Sequence, residues 1–355
     1  MAARHKLKIK NITRETEDCV SIVLDIPTEL NAVYQYKSGQ FVTFCKEFNG
    51  EELRRSYSIC SSPEENELRV AVKKVEDGRF SNYANNELKI GDEIDVISPD
   101  GRFTPTIKSD QAKSYLLIAA GSGITPILSI LKSILNNESK STVCLLYGNQ
   151  RTEEIIFREE ILNLKNKFLQ KLHIHFLLSK EITEEENFYG RINAEKIKIF
   201  NNILFDAHSI DDVYICGPEE MTLEVKSSLE ELGFDPNKIH FELFGTSSAN
   251  QKKPVLKKEQ IGQHAQIEVK LNGRTVSFDL DYGKQSILDA ALKQNLALPY
   301  ACKGGVCCTC KAKVLQGEVE MLVNYGLEED EIKNGYVLTC QSYPKSKTVS
   351  IDYDV

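Results

Sequence analysis

The pattern of apolar and polar positions changes along the chain and divides it into parts. In residues 1–110, short apolar alternations are separated by turn signals such as Asn49-Gly50 and Asp100-Gly101. Runs of this length and spacing predict six strands in a closed or nearly closed antiparallel barrel. The predicted strands lie at residues 7–9, 20–24, 41–44, 56–59, 68–72 and 94–97.

Residues 111–245 change to compact apolar runs that alternate with helical patterns. Such alternation predicts a parallel sheet with helices on both faces, and ligands bind at the carboxyl ends of the strands in such sheets. The predicted strands are 115–120, 142–147, 173–178 and 213–215, and the predicted helices are 126–135, 153–164 and 218–232.

A polar segment without apolar periodicity, residues 246–261, predicts a flexible linker. Beyond it, predicted strands at 265–271 and 274–278 flank an Asn272-Gly273 dipeptide that is typical of a tight hairpin turn. A helix is predicted after Ser286, because Ser286 and Asp289 form a capping box before an apolar face. The sequence therefore predicts domains at 1–110, 111–245 and 262–355, joined by the linker at 246–261.

Composition and charge favour a globular protein of several domains. The chain has 355 residues, of which 41% are hydrophobic and 27% charged, and its net charge is -8. An acidic balance without a basic domain argues against nucleic-acid binding. The N-terminus lacks the apolar run of a secretory signal. The uncharged stretch 114–131 is interrupted by glycines and a proline, which argues against a membrane span. We expect a cytoplasmic protein.

The strongest chemical signal is a group of cysteines near the C-terminus. Cys302, Cys307 and Cys310 follow the spacing Cys-x4-Cys-x2-Cys, and Cys340 comes later. This is the ligand spacing of a plant-type [2Fe-2S] ferredoxin, and two glycines in the loop permit its tight bend. A structural zinc site with four cysteines usually has two Cys-x2-Cys pairs, and here there is one. Cys308 is interpreted as a non-ligand because of the spacing, although it could in principle replace Cys307 or Cys310.

A second signal is the segment 55–61, Arg-Ser-Tyr-Ser-Ile-Cys-Ser, at the end of a predicted barrel strand. Alternation puts Arg55 and Tyr57 on the same face of the strand. An aromatic ring beside a permanent cation suits a flat ring with a pyrophosphate tail, such as a flavin nucleotide. Downstream, Gly78-Arg-Phe-Ser81 precedes a predicted short helix at 82–88, whose first N–H groups offer a phosphate site.

A glycine turn follows the first predicted strand of the α/β part. Its sequence is Gly121-Ser-Gly123-Ile-Thr125-Pro126. It is neither a Gly-x-Gly-x-x-Gly motif nor a P-loop. A glycine turn between a strand and a helix that opens with proline still makes a cradle for a dinucleotide pyrophosphate.

The segment Cys216-Gly217-Pro218 ends the last predicted strand of this part. Pro218 opens a helix, and Glu219 and Glu220 favour the positive end of its dipole. Cys216 is therefore expected at the ligand-binding edge of the sheet. A role as a small buried filler is about equally compatible with the sequence.

The choice of coenzyme is predicted from the residues after the second strand. Arg151 is placed to contact a 2′-phosphate, whereas Glu153 or Glu154 could accept a hydrogen bond from a ribose hydroxyl. Arg158 could also pair with Glu154 on a solvated helix face. We expect NADPH rather than NADH, with Arg151 as the contact.

Together these motifs resemble the ferredoxin–NADP reductase superfamily, in the class that carries a fused C-terminal plant-type ferredoxin. The resemblance covers almost the whole chain and is strongest to reductases of multicomponent oxygenases. It implies an antiparallel β-barrel flavin domain, an α/β parallel-sheet NAD(P)-binding domain and an α+β β-grasp ferredoxin domain. It also implies FAD, a [2Fe-2S] cluster, NADPH or NADH as substrate, and an oxygenase component as the protein electron acceptor.

The resemblance further implies roles for single residues. Tyr57 would pack on the isoalloxazine ring, Ser58 would reach its N5 atom, and Arg55 would bind the pyrophosphate. By position in the motifs, Ser58, Thr125 and Cys216 are the implied catalytic residues. The segment 241–244 resembles one that covers the flavin in some members. The other implied cofactor-binding residues are Ser61, Gly78, Ser81, Gly121, Gly123, Pro126, Gly217, Pro218 and Phe244.

Two other functions compete with that of an electron-transfer reductase. One is a binding module with a sensory or structural cluster, and the other is a flavin diaphorase with a vestigial iron–sulfur domain. The four ligand cysteines and the three nucleotide motifs argue against both. The sequence leaves the final acceptor open, because a diiron epoxidase, a fatty-acid desaturase and a Rieske oxygenase would all take electrons from such a domain.

Overall fold

The chain forms two compact units in a computed structural model, one ending at Leu243 and the other beginning at Phe244. The structure describes residues 3–245, 254 and 262–355. Apart from Pro254, the predicted linker at 246–261 lies outside the described residues. The predicted domain boundaries stay predictions.

Six antiparallel strands form the first sheet, in the spatial order β4-β3-β6-β1-β2-β5. A bridge between Ile59 and Val70 links the ends of the sheet, so that it closes into a barrel. The predicted antiparallel barrel is confirmed. Its elements are β1 Arg4–Thr16, β2 Cys19–Asp25, β3 Phe41–Phe48, β4 Glu51–Ser58, β5 Leu68–Lys73, α1 Arg79–Asn86 and β6 Glu93–Asp100.

The barrel core follows the alternation of the strands. In β1, Leu7 and Ile9 are buried, whereas the lysines on either side of them are exposed. Phe44 of β3 and Phe80 of α1 are fully buried, with ring centroids 5.7 Å apart. Helix α1 therefore packs on the core and begins at Arg79, earlier than the predicted residue 82.

Five parallel strands form the second sheet, in the order β11-β10-β7-β8-β9. The predicted α/β parallel sheet is confirmed. Strand β11 and helix α4 were not predicted, because β11 has four residues and α4 buries only Ile197 and Phe200. The elements are β7 Ser114–Ala120, α2 Ile124–Asn137, β8 Thr142–Asn149, α3 Arg158–Lys167, β9 Leu172–Leu178, α4 Ala194–Ile203, β10 Asp212–Cys216, α5 Glu219–Glu231 and β11 Ile239–Glu242.

Helix α3 begins five residues later than the predicted residue 153. Thr152–Glu154 forms a separate 3-10 turn, and Phe157 has a left-handed φ of 61° just before the helix. Since Glu154 lies outside the helix, the alternative pairing of Arg158 with Glu154 is wrong. Arg158 instead pairs with Glu159 at 3.1 Å.

The uncharged stretch 114–131 is not one continuous helix. It consists of β7, a 3-10 turn at Gly121–Gly123 and the first part of α2. Among the residues that the structure describes, no helix has both the length and the apolar character needed to cross a membrane.

The second compact unit contains a five-stranded sheet in the order β13-β12-β18-β14-β16 and a small sheet of β15 and β17. The hairpin turns at Asn272 and Gly273, whose φ angles are 52° and 70°. Ser286 caps α6 by accepting a hydrogen bond from the Asp289 backbone at 3.2 Å, as predicted. The elements are β12 His264–Leu271, β13 Arg274–Asp281, α6 Ile287–Lys293, β14 Lys311–Gln316, β15 Val319–Met321, α7 Glu329–Lys333, β16 Tyr336–Leu338, β17 Ser342–Pro344 and β18 Thr348–Asp352.

Candidate functional site

The end of β4 combines a packed aromatic ring with an exposed cation. The Tyr57 ring is half-buried and lies 5.7 Å from the Phe44 ring and 5.6 Å from the Phe80 ring. The Arg55 side chain is exposed and donates to the carbonyl of Arg54 at 2.8 Å. A fixed ring beside a solvent-facing guanidinium fits a flat cofactor with a pyrophosphate tail.

Ser58 links the barrel to the parallel sheet. Its Oγ donates to Oε2 of Glu242 at 3.0 Å. Glu242 is the last residue of β11 and pairs with Cys216 at the end of β10. Cys216 is fully buried, and burial together with the Glu242 charge raises the pKa of its thiol well above the ordinary value. The three side chains therefore form one cluster in which the thiol stays protonated at neutral pH.

Ser61 and Ser81 use their hydroxyls inside the protein. Ser61 Oγ donates to the Glu67 carbonyl at 2.9 Å and accepts from Tyr36 at 2.8 Å. Ser81 Oγ donates to the Gly78 carbonyl at 3.2 Å, across the first turn of α1. Both side chains are buried and stabilise their loops. A contact of either hydroxyl with the flavin stays a prediction.

The glycine turn after β7 is held by two side chains. Tyr147 donates to the Gly121 carbonyl at 3.0 Å, and Thr125 Oγ1 donates to the Ser122 carbonyl at 3.0 Å. Gly121 has a φ of 53°, and nothing lies within 4 Å of where its Cβ would be. The turn therefore presents bare backbone to open space, which fits a pyrophosphate. Pro126 follows in the buried first turn of α2.

The two strand-to-helix turns touch through glycines. A Cβ on Gly123 would lie 2.1 Å from the carbonyl oxygen of Cys216. A Cβ on Gly217 would lie 2.7 Å from the end of the Met221 side chain and 3.2 Å from Ala120 Cβ. Pro218 follows as the residue before α5. The structure thus brings both predicted nicotinamide motifs together at one edge of the sheet, at distances that no sequence pattern specifies.

Arg151 follows β8 beside an acidic residue that the sequence did not single out. Glu181 accepts from the Thr152 backbone and from its hydroxyl, both at 2.7 Å. These hydrogen bonds and the charge of Arg151 lower the pKa of Glu181 below its ordinary value. Asn149, the last residue of β8, places a buried side-chain amide at this edge.

The four predicted ligand cysteines approach each other in two pairs. The Sγ atoms of Cys302 and Cys307 are 3.0 Å apart, and a hydrogen bond joins Cys310 to Cys340. Donation from Cys307 lowers the pKa of the Cys302 thiol to about 7. Within the described residues, no set of three or more His, Cys, Asp or Glu side chains could hold a single metal ion. Two pairs of thiols instead fit the two irons of a [2Fe-2S] cluster.

The fifth cysteine of this loop is engaged elsewhere. Cys308 Sγ donates to the Gly326 carbonyl at 2.5 Å. The loop bends at Gly305, where φ is 74° and a Cβ would lie 2.7 Å from the Val323 carbonyl oxygen. The assignment of Cys308 as a non-ligand stays a prediction that this contact supports.

Phe244 is the first residue of the second compact unit, and its side chain is 46% exposed. Its role as a cover for the flavin stays a prediction. Glu242, two residues earlier, belongs to the first unit and contacts Ser58 as described above.

Three family models match successive parts of the chain. They describe an oxidoreductase FAD-binding domain over residues 6–104, an oxidoreductase NAD-binding domain over 117–227 and a 2Fe-2S iron-sulfur cluster binding domain over 269–345. The FAD, nicotinamide-nucleotide and [2Fe-2S] cofactors predicted from the sequence are confirmed at the level of these domains.

Similar proteins share this domain order. One of the subunits of 1,2-phenylacetyl-CoA epoxidase from Escherichia coli is 40% identical, with 100% of this chain and 99% of the relative covered. The ferredoxin reductase component of 3-ketosteroid-9-alpha-monooxygenase from Rhodococcus rhodochrous is 31% identical, with 98% and 96% covered. Phthalate dioxygenase reductase has the same fold, with a TM-score of 0.62, 24% identity, and 99% of this chain and 98% of that chain covered.

The matched domains and the full-length relatives identify an oxidoreductase that carries electrons between nucleotide, flavin and iron–sulfur sites. The fold and the relatives both agree with the family resemblance that the sequence motifs indicate. These motifs lie at residues 55–61, 121–126, 216–218 and 302–340. The chain belongs to the ferredoxin–NADP reductase superfamily, in the class with a fused C-terminal plant-type [2Fe-2S] ferredoxin domain.

Proposed function

We propose that this chain reduces its bound FAD with a hydride from NADPH. It then delivers single electrons through its [2Fe-2S] cluster to an oxygenase of the phenylacetyl-CoA epoxidase type. The observation that carries the proposal is the hydrogen bond between Ser58 and Glu242. It joins the flavin motif of the barrel to the edge of the sheet where Cys216 and the nicotinamide turn meet.

When bound, FAD accepts the two electrons of a nicotinamide hydride and the cluster carries electrons one at a time. Tyr57 supplies a rigid face for the flavin ring, and Arg55 supplies charge for its pyrophosphate. Ser58 places its hydroxyl near the flavin N5 atom, as its motif implies. A hydrogen bond of 3.0 Å from Ser58 Oγ to Glu242 Oε2 orients this hydroxyl. Cys216, as a neutral buried thiol, adds no negative charge beside the nicotinamide.

The backbone provides the phosphate contacts in this proposal. Gly121 and Gly123 bind the pyrophosphate of the nicotinamide nucleotide, and Thr125 and Pro126 shape the turn that presents them. Gly78, just before α1, and Ser81, in the first turn of α1, contact the flavin phosphate, and Ser61 supports the loop between β4 and β5. Gly217 and Pro218 set the approach of the nicotinamide, and Phe244 covers the flavin. Cys302, Cys307, Cys310 and Cys340 bind the cluster.

We further propose the domain boundaries 1–110, 111–245 and 262–355, with a linker at 246–261, and a cytoplasmic location where reduced nicotinamide nucleotides are supplied. The epoxidase-type acceptor is favoured by the 40% identity to the Escherichia coli epoxidase component over the full chain. A monooxygenase of another class is the second candidate, because a ketosteroid monooxygenase reductase component is 31% identical.

The direct test is anaerobic mixing of the holoprotein with NADPH. We expect bleaching of the flavin absorbance, followed by an electron paramagnetic resonance signal from the reduced cluster. Heat-released flavin should chromatograph as FAD. A protein that holds flavin and iron but is not reduced by either nicotinamide nucleotide would be a binding module, and recovered FMN would refute the flavin assignment.

The acceptor is tested separately with the reduced protein. Purified diiron epoxidase should be reduced faster than a desaturase or a Rieske oxygenase at equal concentration. The variant Cys340→Ser is the matched control, because it should keep flavin reduction but lose transfer to the oxygenase. Equal transfer by the variant would mean that the cluster is not on the electron path.

A further inference from the structure

One face of helix α2 carries buried polar side chains that the nucleotide turn does not use. The helix begins directly after Gly121–Gly123, and residues 124–135 are buried. Ser129 is 0% exposed, Lys132 3% and Ser133 1%. Their spacing of three and four residues puts them on one face of the helix. A lysine this deeply buried requires paired charge, so the face must meet acidic partners.

This face binds the barrel segment that follows the flavin motif. Ser129 Oγ donates to the Ser61 carbonyl at 2.6 Å. Lys132 Nζ donates to the two carboxylate oxygens of Glu65 at 2.8 and 3.1 Å. The helix that starts at the nicotinamide turn is therefore bonded to the loop that starts at the end of the flavin strand.

Lys132 also contacts a third element. Its Nζ lies 2.7 Å from Glu160 Oε1 on α3, and Arg69 of β5 donates to both oxygens of Glu160 at 2.7 and 2.8 Å. The Arg69 guanidinium lies 5.1 Å from the ring centre of Phe157, the residue with left-handed φ that precedes α3. The two cations pair with the carboxylates of Glu65 and Glu160, and Arg69 Nε also lies 3.4 Å from Glu67 Oε1, so one compact ionic cluster joins the barrel, α2 and α3.

We propose that Lys132 is a positioning residue for hydride transfer, which fixes α2 on the barrel and thereby sets the nicotinamide turn relative to the flavin strand. The inference rests on the proposed function, since it matters only if a nicotinamide reduces a flavin bound at β4. Lys132 lies eight residues beyond Ile124, the first residue of α2, which is about 12 Å along the helix. It therefore acts through the helix rather than on the reacting atoms.

Hydride transfer is sensitive to such positioning, because a misplacement of about 1 Å costs about 10²-fold in rate. In Lys132→Met, a side chain of similar length replaces the cation, and Glu65 and Glu160 lose their shared partner. We expect normal FAD and iron content and an anaerobic flavin reduction by NADPH slowed by about 10²-fold. The dissociation constant for oxidised nucleotide should change much less, and photoreduction of the flavin should be normal.

Three further variants make the test specific. Lys132→Arg should recover most of the rate because it retains the charge. Ser129→Ala removes one hydrogen bond on the same face and should show the same pattern with a smaller loss. Lys198→Met breaks an exposed ion pair with Glu231 at 2.8 Å and should leave the rate unchanged.

A primary deuterium isotope effect measured with deuterated NADPH provides the second readout. It should rise in Lys132→Met as hydride transfer becomes more rate-limiting. The inference would be overturned if FAD-replete Lys132→Met is reduced at the wild-type rate. It would also be overturned if the rate falls only in proportion to the FAD that the variant has lost. If Lys132→Met does not fold, a wild-type rate in Ser129→Ala overturns it. Failure of the wild-type protein itself to be reduced would instead refute the proposed function.

Discussion

Gly123 lies so close to Cys216 that an added Cβ would stand 2.1 Å from the Cys216 carbonyl oxygen and 2.8 Å from the Gly217 nitrogen. The contact joins the turn after β7 to the turn after β10 through backbone atoms of both. Any side chain at residue 123 must therefore push these two strand-to-helix turns apart.

We predict that Gly123→Ala loses nicotinamide binding while it keeps FAD. The methyl group would displace the turn, so the KM for NADPH should rise by at least about tenfold, as loss of a favourable contact of about 1.4 kcal/mol would cause. Gly245→Ala is the matched control, because nothing lies within 4 Å of its Cβ position. Stopped-flow flavin reduction and flavin content measure the two effects, and an unchanged KM would contradict the prediction.

A second prediction concerns the pair of Ser58 and Glu242. Ser58→Ala removes the hydroxyl, and Glu242→Gln removes the charge but retains an acceptor oxygen. We expect flavin reduction to slow by about 10²-fold in Ser58→Ala, at the low end of the range for a side chain positioned to assist proton transfer. Glu242→Gln should lose less.

The double variant separates a joint role from two independent ones. If Ser58 acts through its bond to Glu242, Ser58→Ala with Glu242→Gln should be no slower than Ser58→Ala alone. Additive losses would mean that Glu242 acts independently of Ser58. Because Glu242 also raises the pKa of the buried Cys216 thiol, the pH profile of Glu242→Gln should be compared with that of the native chain.

The third prediction tests the cluster ligands. Cys340→Ser should lose the intact cluster if Cys340, whose side chain bonds to that of Cys310, is one of the four ligands. Cys308→Ser should retain the iron, because the Cys308 side chain bonds to the Gly326 carbonyl and serine can donate there too. Iron analysis and visible absorbance measure both. Equal loss of iron in the two variants would contradict the assignment.

Much of the fold could be predicted because it depends on local patterns. Alternation indicated the barrel strands, compact apolar runs indicated four strands of the parallel sheet, and turn and capping residues indicated the Asn272-Gly273 hairpin and the α6 start. The start of α3 was mispredicted because a left-handed Phe157 interrupts a pattern that is otherwise typical of a helix.

Contacts between distant residues could not be predicted in this way. Ser58 and Glu242 are separated by 184 positions, and Lys132 and Glu65 by 67. Neither partner belongs to a periodic pattern that points to the other. The cysteine spacing was the exception, because three of the four expected ligands lie on one loop whose length limits their arrangement.

The fourth prediction concerns coenzyme choice. If Arg151 binds a 2′-phosphate, the native chain should have the higher kcat/KM with NADPH, and Arg151→Ala should lower the NADPH to NADH ratio. Glu181→Gln is the informative companion, since its carboxylate lies beside Arg151 and bonds Thr152. Removal of that negative charge should raise the ratio. A native preference for NADH, or an unchanged ratio in Arg151→Ala, would contradict the assignment.

The last prediction concerns acid stability of the first unit. Asp212 of β10 accepts a hydrogen bond from Lys113 Nζ at 2.8 Å and lies 3.5 Å from His240 Nε2. Burial works to raise the pKa of Asp212, but its bonds to His240 and Lys113 hold that pKa below its ordinary value.

A carboxyl with a lower pKa in the folded state stabilises the protein above its unfolded pKa, and this contribution is lost as pH falls through the folded pKa. Asp212→Asn should therefore be less stable than the native chain at pH 7, by about 1.5 kcal/mol, the lower end for a hydrogen bond to a charged group. The gap should narrow as pH falls below about 4, the ordinary pKa of an aspartate, and should close only below the lower pKa of the folded Asp212. Melting temperature followed by flavin fluorescence measures this, with the exposed Asp110→Asn as the control. A stability difference that persists at low pH would mean that Asp212 contributes through packing rather than through its charge.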